Sequence, residues 1–358
     1  MPLKTSCLAT AIGSFPHTEP DEALDIVFST LSDAPLWPQL PKRSLNEQME
    51  IQFCEGIPRA VIDHQKGRLY MDTSGDYSED FATFYESYMS ALDPDSGSRD
   101  CSSLAISADF ARGLHGFEER LRAAGRKYPF IKVQTTGPCS FALTVVDEKK
   151  RAIYYNEEFR DTIVKALAMK CCWQIQKFRP FAENVICFID EPILSAFGSS
   201  TYISVRREEV VALIGEVAQA IHTENAIAGV HCCGNTDWTL LIDAGIDLIN
   251  FDAFSYGDTI ALYPDAMRTF VEKGGLIAWG IVPTSPAIRE QSVGSLAGLF
   301  SGLIDNLCAK AGIDRSRLIE QSLLTPSCGT GSLSVSDSEM VFSTLGNLAG
   351  HVRDKLLP

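Results

Sequence analysis

"AIAGVHCCGNTDW", residues Ala226 to Trp238, sets an imidazole and two thiols at the end of an apolar run and then turns at Gly234-Asn235. A short apolar run closed by Gly-Asn reads as a buried strand followed by a turn. Alternate residues of a strand share a face, so His231 and Cys233 point one way and Cys232 the other. Two readings stand at this point. The segment is a core strand that uses cysteine for packing, since free cysteine is among the most buried residue types, or it is the first half of a metal site.

Outward from this strand the same unit recurs. Short apolar segments end in turn or polar residues at Leu8–Ser14, Pro35–Trp37, Phe130–Thr136, Val185–Glu191, Ile227–Cys233, Asp247–Asp252, Gly275–Ile281 and Ser322–Cys328. Helical patterns follow most of them. "SVRREEVVALIGEVAQAIH", from Ser204, puts Val210, Leu213, Ile214, Val217 and Ile221 on one face, and "SVGSLAGLFSGLIDNLCAKAG" and "SDSEMVFSTLGNLAGHVRDKL" behave alike. Strand–helix alternation along a whole chain predicts an α/β fold with a parallel sheet, and eight units predict a (β/α)8 TIM barrel. One domain over residues 1–358 follows, with an insertion at about 41–129 between the second and third strands. Within it, Asp72 to Asp109 carries nine acidic residues and one base, Arg99. That stretch reads as a solvated helical excursion; the sharper alternative is a lid or a partner-docking face near the barrel mouth.

Composition narrows the function classes. A hydrophobic content of 45% with 22% charged residues is ordinary for a globular chain of 358 residues, so a sizeable core is expected. No window approaches the ~18 uninterrupted apolar residues of a membrane span. The start, "MPLKTSCLATAIGSFPHT", lacks a charged opening followed by a long apolar segment and a cleavage site, which predicts a cytoplasmic protein. A net charge of −15 opposes non-specific binding to nucleic acid. Cysteine is odd in number, 11, and two pairs are adjacent, Cys171-Cys172 and Cys232-Cys233, so reduced thiols fit better than a disulfide framework.

Barrel enzymes carry their chemistry at the C-terminal ends of strands, where His231 and Cys233 fall. The last strand ends likewise, in "SLLTPSCGTGS", with Cys328 in a Pro-Ser-Cys-Gly turn. The fifth and eighth strands of a barrel lie across the axis from each other, so Cys328 can complete what His231 and Cys233 begin. Asp252 closes the sixth strand in "DLINFDAF". One histidine, two thiolates and a carboxylate form a tetrahedral zinc set, and soft thiolates disfavour magnesium or calcium. A thiol of pKa ~8.5 is mostly protonated at neutral pH, yet the thiolate is the nucleophile, and metal binding removes its proton. Such a site suits a thiolate nucleophile better than it activates water.

The order His-x-Cys, strand-end carboxylate, Pro-x-Cys-Gly resembles the catalytic, C-terminal half of cobalamin-independent methionine synthase. "TAIGSFPHT" from Thr10 and "FIDEPIL" from Phe188 extend the likeness along the chain. That family belongs to the uroporphyrinogen-decarboxylase-like (β/α)8 barrels. The resemblance implies a zinc ion that holds a small-molecule thiol, homocysteine in the synthases. It implies His231, Cys233 and Cys328 as zinc ligands, with Asp252 standing where the family has a glutamate. It also implies substrate contacts from Ile12 and Ser14 and an ammonium contact from Asp190. Asp190 and Glu191 are adjacent on a strand and face opposite sides, so they are not a shared acid/base pair.

Departures from the family matter equally. The synthases add an N-terminal barrel that helps to bind folate, whereas this chain matches the catalytic half. The region after Gly137-Pro138, "TGPCSFALTV", lacks the family's folate-contacting tryptophan, and Thr284 in "GIVPTSPA" stands where a proton-transferring histidine is expected. The expected function is therefore thiol S-methylation, homocysteine to methionine, with a methyl-corrinoid donor presented by a partner protein. The alternatives are a corrinoid-linked methyltransferase acting on another thiol such as coenzyme M, a uroporphyrinogen-decarboxylase-like enzyme, and a non-catalytic corrinoid- or metal-binding accessory protein. His17 is read as a solvated loop residue or a replacement proton donor. Gly329 to Ser332 is read as a turn leaving the ligand, with a phosphate cradle above the last strand as the alternative, and Trp37 and Trp279 as core or cavity wall.

Overall fold

Seven of the segments marked as strands pair into one curled, wholly parallel sheet. The computed structural model describes residues 3–92 and 99–356. In chain order the strands are β1 (Leu8–Ala9), β2 (Ala60–Asp63), β3 (Arg68–Met71), β4 (Tyr128–Thr136), β5 (Val146–Asp147), β6 (Ala182–Asp190), β7 (Ile227–Cys232), β8 (Leu248–Phe251), β9 (Leu276–Val282) and β10 (Ser322–Pro326). The sheet runs β1-β10-β9-β8-β7-β6-β4, and each pairing is parallel. Its strands are buried on both faces, which is why they read as near-continuous apolar runs rather than alternating ones.

The eighth segment, Pro35–Trp37, does not form a regular strand. Pro35, Pro38 and Pro41 in "APLWPQLP" have no N–H to give, so the ladder there is reduced to isolated bridges, Leu36 to Lys132 and Ser14 to Gln39. The N–H of Lys132 donates to Pro35 O at 2.9 Å, and on the other side Gln39 N donates to Gly13 O at 2.9 Å. Both edges of the sheet, β4 and the continuation of β1, are thus hydrogen-bonded to this one segment. Gly13 is required at its place: φ is 151°, and a Cβ would sit 2.6 Å from Gln39 Oε1.

Side chains that alternate along the strands stack in layers on the inner face. Ala34, Phe130, Phe188, Leu248, Leu276 and Leu323 belong to a small apolar cluster of their own. Two residues further along the same strands come Lys132, Asp190, Asn250 and Thr325, so polarity rises toward the strand ends. The outer helices bury one face against the sheet. In Arg207–Thr223 that face is Val210, Ile214, Val217, Ala218 and Ile221, with Leu213 only partly covered. Helix starts follow local chemistry, as where Ser292 and Ser295 cap Val293–Ala311 reciprocally.

The excursion over 41–129 is not wholly helical. Helices Met49–Cys54, Ser78–Leu92 and Arg112–Ala124 flank an antiparallel hairpin of β2 and β3, to which β5 adds in parallel. The β-branched and aromatic content of "VIDHQKGRLYM", with its Lys66-Gly67 turn, favours strand pairing over a helix. Of the acidic stretch Asp72–Asp109, residues 93–98 lie outside the described residues. The fully buried Lys170, on helix Glu157–Phe178, ties the excursion down by donating to Glu55 O at 2.6 Å and Leu104 O at 3.2 Å. No helix among the described residues is long and apolar enough to cross a membrane.

Candidate metal centre

His231 pairs in register with Asp190 and Asn250, which puts it one residue short of the end of β7, with Cys233 just beyond. Cys328 follows the end of β10. The ligand atoms of His231, Cys233 and Cys328 all lie within 4.8 Å of one another, and the three residues could hold a metal ion. Cys232 faces away, buried, with its thiol toward Gly234 O at 3.7 Å. The Cys233 thiol is held well below its ordinary range, first by the neighbouring Cys328 thiol and next by His231. Cys328 is pushed up, first by the same neighbour, Cys233, and next by burial.

The imidazole tests whether the trio suits a metal. His231 is 3% exposed, and its Nε2 has no hydrogen-bond partner among the described residues. A buried polar atom left unpaired costs about 1–3 kcal/mol. An ion between Nε2 and the two sulfurs removes that penalty, and the donor set matches a soft, tetrahedral divalent metal.

These residues open into a cavity of about 330 Å³ whose wall also includes Ile12, Ser14, Asp190, Glu47, Met49 and Gly329. Burial pushes the Asp190 carboxyl up to about 6, opposed chiefly by the charge of Lys132. Its Oδ1 has no partner among the described residues. Glu191 faces the other way and accepts from Cys139 N, Ser140 N and Ser140 Oγ at 2.7–2.8 Å, anchoring helix Pro138–Thr144. Ile12 O accepts from the buried Lys132 ammonium. Ser14 Oγ accepts from Gly331 N at 3.3 Å, and a Cβ on Gly329 would collide with that hydroxyl. The Gly329–Ser332 turn therefore packs on Ser14 and forms part of the wall.

Asp252 is not brought into the trio. Its Oδ1 accepts from Ser255 N at 2.9 Å and caps helix Ala253–Tyr256. His17 is neither solvated nor on the cavity wall: it is 2% exposed, with its ring 6.0 Å from Phe15. Burial lowers its pKa. Trp37 and Trp279 are core, bonded to Gln174 Oε1 at 2.9 Å and Ser322 Oγ at 3.0 Å. Thr284 is bonded to Ser327 Oγ at 3.0 Å.

Sequence reasoning missed Glu47, Lys132 and Asn250. Glu47 is 1% exposed, paired with Arg43 at 2.8 Å, and its Oε2 is unpartnered among the described residues. Burial raises its pKa against the pull of Arg43. The available signal was the strand period, which puts Lys132 and Asn250 on the same inward face as Asp190 and His231.

No family model matches the chain, and no curated protein does. Among solved structures, it is similar to a putative fructose-1,6-biphosphate aldolase from Coccidioides immitis at 11% identity and a TM-score of 0.29, over 67% of this chain and 85% of that one. It is also similar to a modular endo-beta-1,4-mannanase from Cellulomonas fimi, at 10% identity and a TM-score of 0.27, over 63% of this chain and 64% of that one. The ochratoxinase of A. niger gives 14% identity and a TM-score of 0.29, over 81% of this chain and 71% of that one. Likeness this slight carries no argument about fold or chemistry.

Proposed function

We propose that this chain is a zinc-dependent methyltransferase that moves a methyl group onto a small-molecule thiol, homocysteine, to give methionine. The observation that carries the reading is one cavity lined by an imidazole nitrogen, two thiols and two buried carboxyl groups, Glu47 and Asp190, in which the nitrogen and one oxygen of each carboxyl have no partner among the described residues. Zinc bound there supplies a thiol kept deprotonated at neutral pH. The protein offers it three ligands, which leaves the fourth position for the substrate sulfur, the pattern of a catalytic rather than a structural site. Asp252, occupied as a helix cap, is not needed.

Glu47 and Asp190 suit a substrate that carries an ammonium group. They disfavour a sulfonate thiol such as coenzyme M, whose charge they would repel in a partly desolvated site. The likeness of the His-x-Cys and Pro-x-Cys-Gly motifs to the catalytic half of cobalamin-independent methionine synthase supports the same substrate. We read the curled sheet, with segment 33–39 bonded to both its edges, as a closed (β/α)8 barrel. The described cysteines are all free thiols, which supports a reducing, cytoplasmic setting.

The donor in this reading is a methyl-corrinoid held by a partner protein. Methyl-folate leaves as a basic amine that needs a proton, and a positioned acid typically contributes ~10²–10⁴ in rate. Thr284 stands where the family has its histidine, and its hydroxyl is engaged by Ser327. A methyl-cobalt donor would pass its methyl group to the thiolate as the C–Co bond breaks and the cobalt departs as cob(I) with the bonding electron pair, so no proton is needed. The test offers the zinc-loaded protein methylcobalamin and methyl-tetrahydrofolate in parallel at equal concentration, with homocysteine and coenzyme M as acceptors, and quantifies the thioether. Methionine formed faster from the corrinoid is expected. Faster turnover with methyl-folate overturns the donor assignment, and product from coenzyme M alone overturns the substrate.

A further inference from the structure

We infer that Asn250 is a positioning residue for the metal: it fixes the tautomer of His231 and so selects Nε2 as the ligating atom. Asn250 is fully buried on β8, beside His231 in register. Its Nδ2 donates to Ala278 O at 2.8 Å and to Thr325 Oγ1 at 2.8 Å. Ala278 O can only accept, so the amide cannot be turned over without facing one oxygen with another. Asn250 Oδ1 must therefore accept, and the atom 2.6 Å from it is His231 Nδ1. The ring proton sits on Nδ1. Nε2 keeps its lone pair and has no other partner among the described residues.

The chain Ala278–Asn250–His231 thus runs from the β9 backbone to the metal position through groups with few rotamers to lose. An amide in this place also differs from a carboxylate. It orients the imidazole without adding charge, which leaves the two thiolates to balance a divalent ion by themselves. The inference rests on the metal reading of the trio and is independent of methyl transfer.

Three variants, Asn250→Ala, Asn250→Asp and Thr325→Val, test it. Zinc affinity is measured by competition with a chromophoric chelator, the stability of the metal-free chain by thermal unfolding, and ligation by the visible spectrum of the cobalt(II) form. Asn250→Ala is expected to weaken zinc binding by roughly 10–100-fold and to alter the cobalt spectrum. Thr325→Val, which removes one of two anchors, weakens it less. Asn250→Asp keeps an acceptor for Nδ1–H but faces Ala278 O with a second oxygen. It should therefore recover most of the affinity while lowering the stability of the metal-free chain. Affinity that simply follows stability through the three variants, or an unchanged cobalt spectrum in Asn250→Ala, overturns the inference. If Asn250→Ala does not fold, the opposed effects of Asn250→Asp still decide it. A wild-type chain that takes up no zinc overturns the metal reading and this inference together, whereas failure of methyl transfer alone touches neither.

Discussion

A single thiol should decide whether the trio holds metal. Replacing Cys328 by serine exchanges a soft thiolate for a hard, weakly acidic hydroxyl, so Cys328→Ser should lose most of the zinc bound per chain. Cys232→Ser should keep nearly all of it, because that thiol points toward Gly234 O and away from the cavity. Equal zinc in the two variants, measured by elemental analysis, would contradict the assignment. The carboxylates act on a different quantity. A charge-assisted hydrogen bond contributes about 1.5–3 kcal/mol, roughly a ten- to hundred-fold change in binding. Asp190→Asn and Glu47→Gln should each raise KM for homocysteine by about that factor with zinc stoichiometry intact. Unchanged kinetics would remove the residue from the substrate site. The trio was legible in the sequence because strand alternation fixes which of three neighbouring residues share a face. Glu47 was not: its burial arises only when residues 41–49 fold across the mouth, and its i,i+4 partner Arg43 makes it look like part of a surface pair.

Strand ends determine where this chemistry can sit, and the helices determine how firmly the strands are held. At the opposite end of the sheet, His222 closes helix Arg207–Thr223 by bonding Asp247 Oδ2 at 2.8 Å, and the same oxygen accepts from Ala228 N at 2.9 Å. The hydrogen bond to Asp247 holds the imidazole above its ordinary value, against the opposing effect of its partial burial. A raised histidine stabilises the fold most when the ring is charged. Its contribution is therefore fully present below the unfolded value of about 6.5 and is lost as pH rises through the folded value. With 32% and 43% of the two side chains exposed, solvent screening keeps the contribution in the surface range of about 0.3–1 kcal/mol. His222→Gln should lower the urea midpoint at about pH 5.5 and leave it unchanged at about pH 9. A larger loss at the alkaline end would contradict the sign. Helices with one apolar face and strands buried on both sides are plain in the sequence. The Pro35–Trp37 segment read as a strand, yet the prolines that make it extended also deny it the ladder. The β2–β3 hairpin, Ala60–Met71, lies just before the acidic stretch and was absorbed into the helical reading of the whole excursion, although its β-branched residues and Lys66-Gly67 turn carried the strand signal.

Taken over all 358 residues, the chain is acidic, −15, with soft donors that could hold a metal ion gathered at one end of an apolar-floored sheet. That arrangement makes one claim central: a substrate thiol completes the coordination of a metal held by His231, Cys233 and Cys328. The eleven thiols alone could not have said this, because eight of them are simply buried. What separates Cys233 and Cys328 from the rest is an address at strand ends, which the sequence order conveys, and convergence on one imidazole, which only the curvature of the sheet supplies. X-ray absorption at the zinc edge of the loaded protein, with and without homocysteine, reads that convergence directly. Two sulfur neighbours at about 2.3 Å are expected without substrate and three with it. A sulfur count that stays at two when homocysteine is bound would contradict the account.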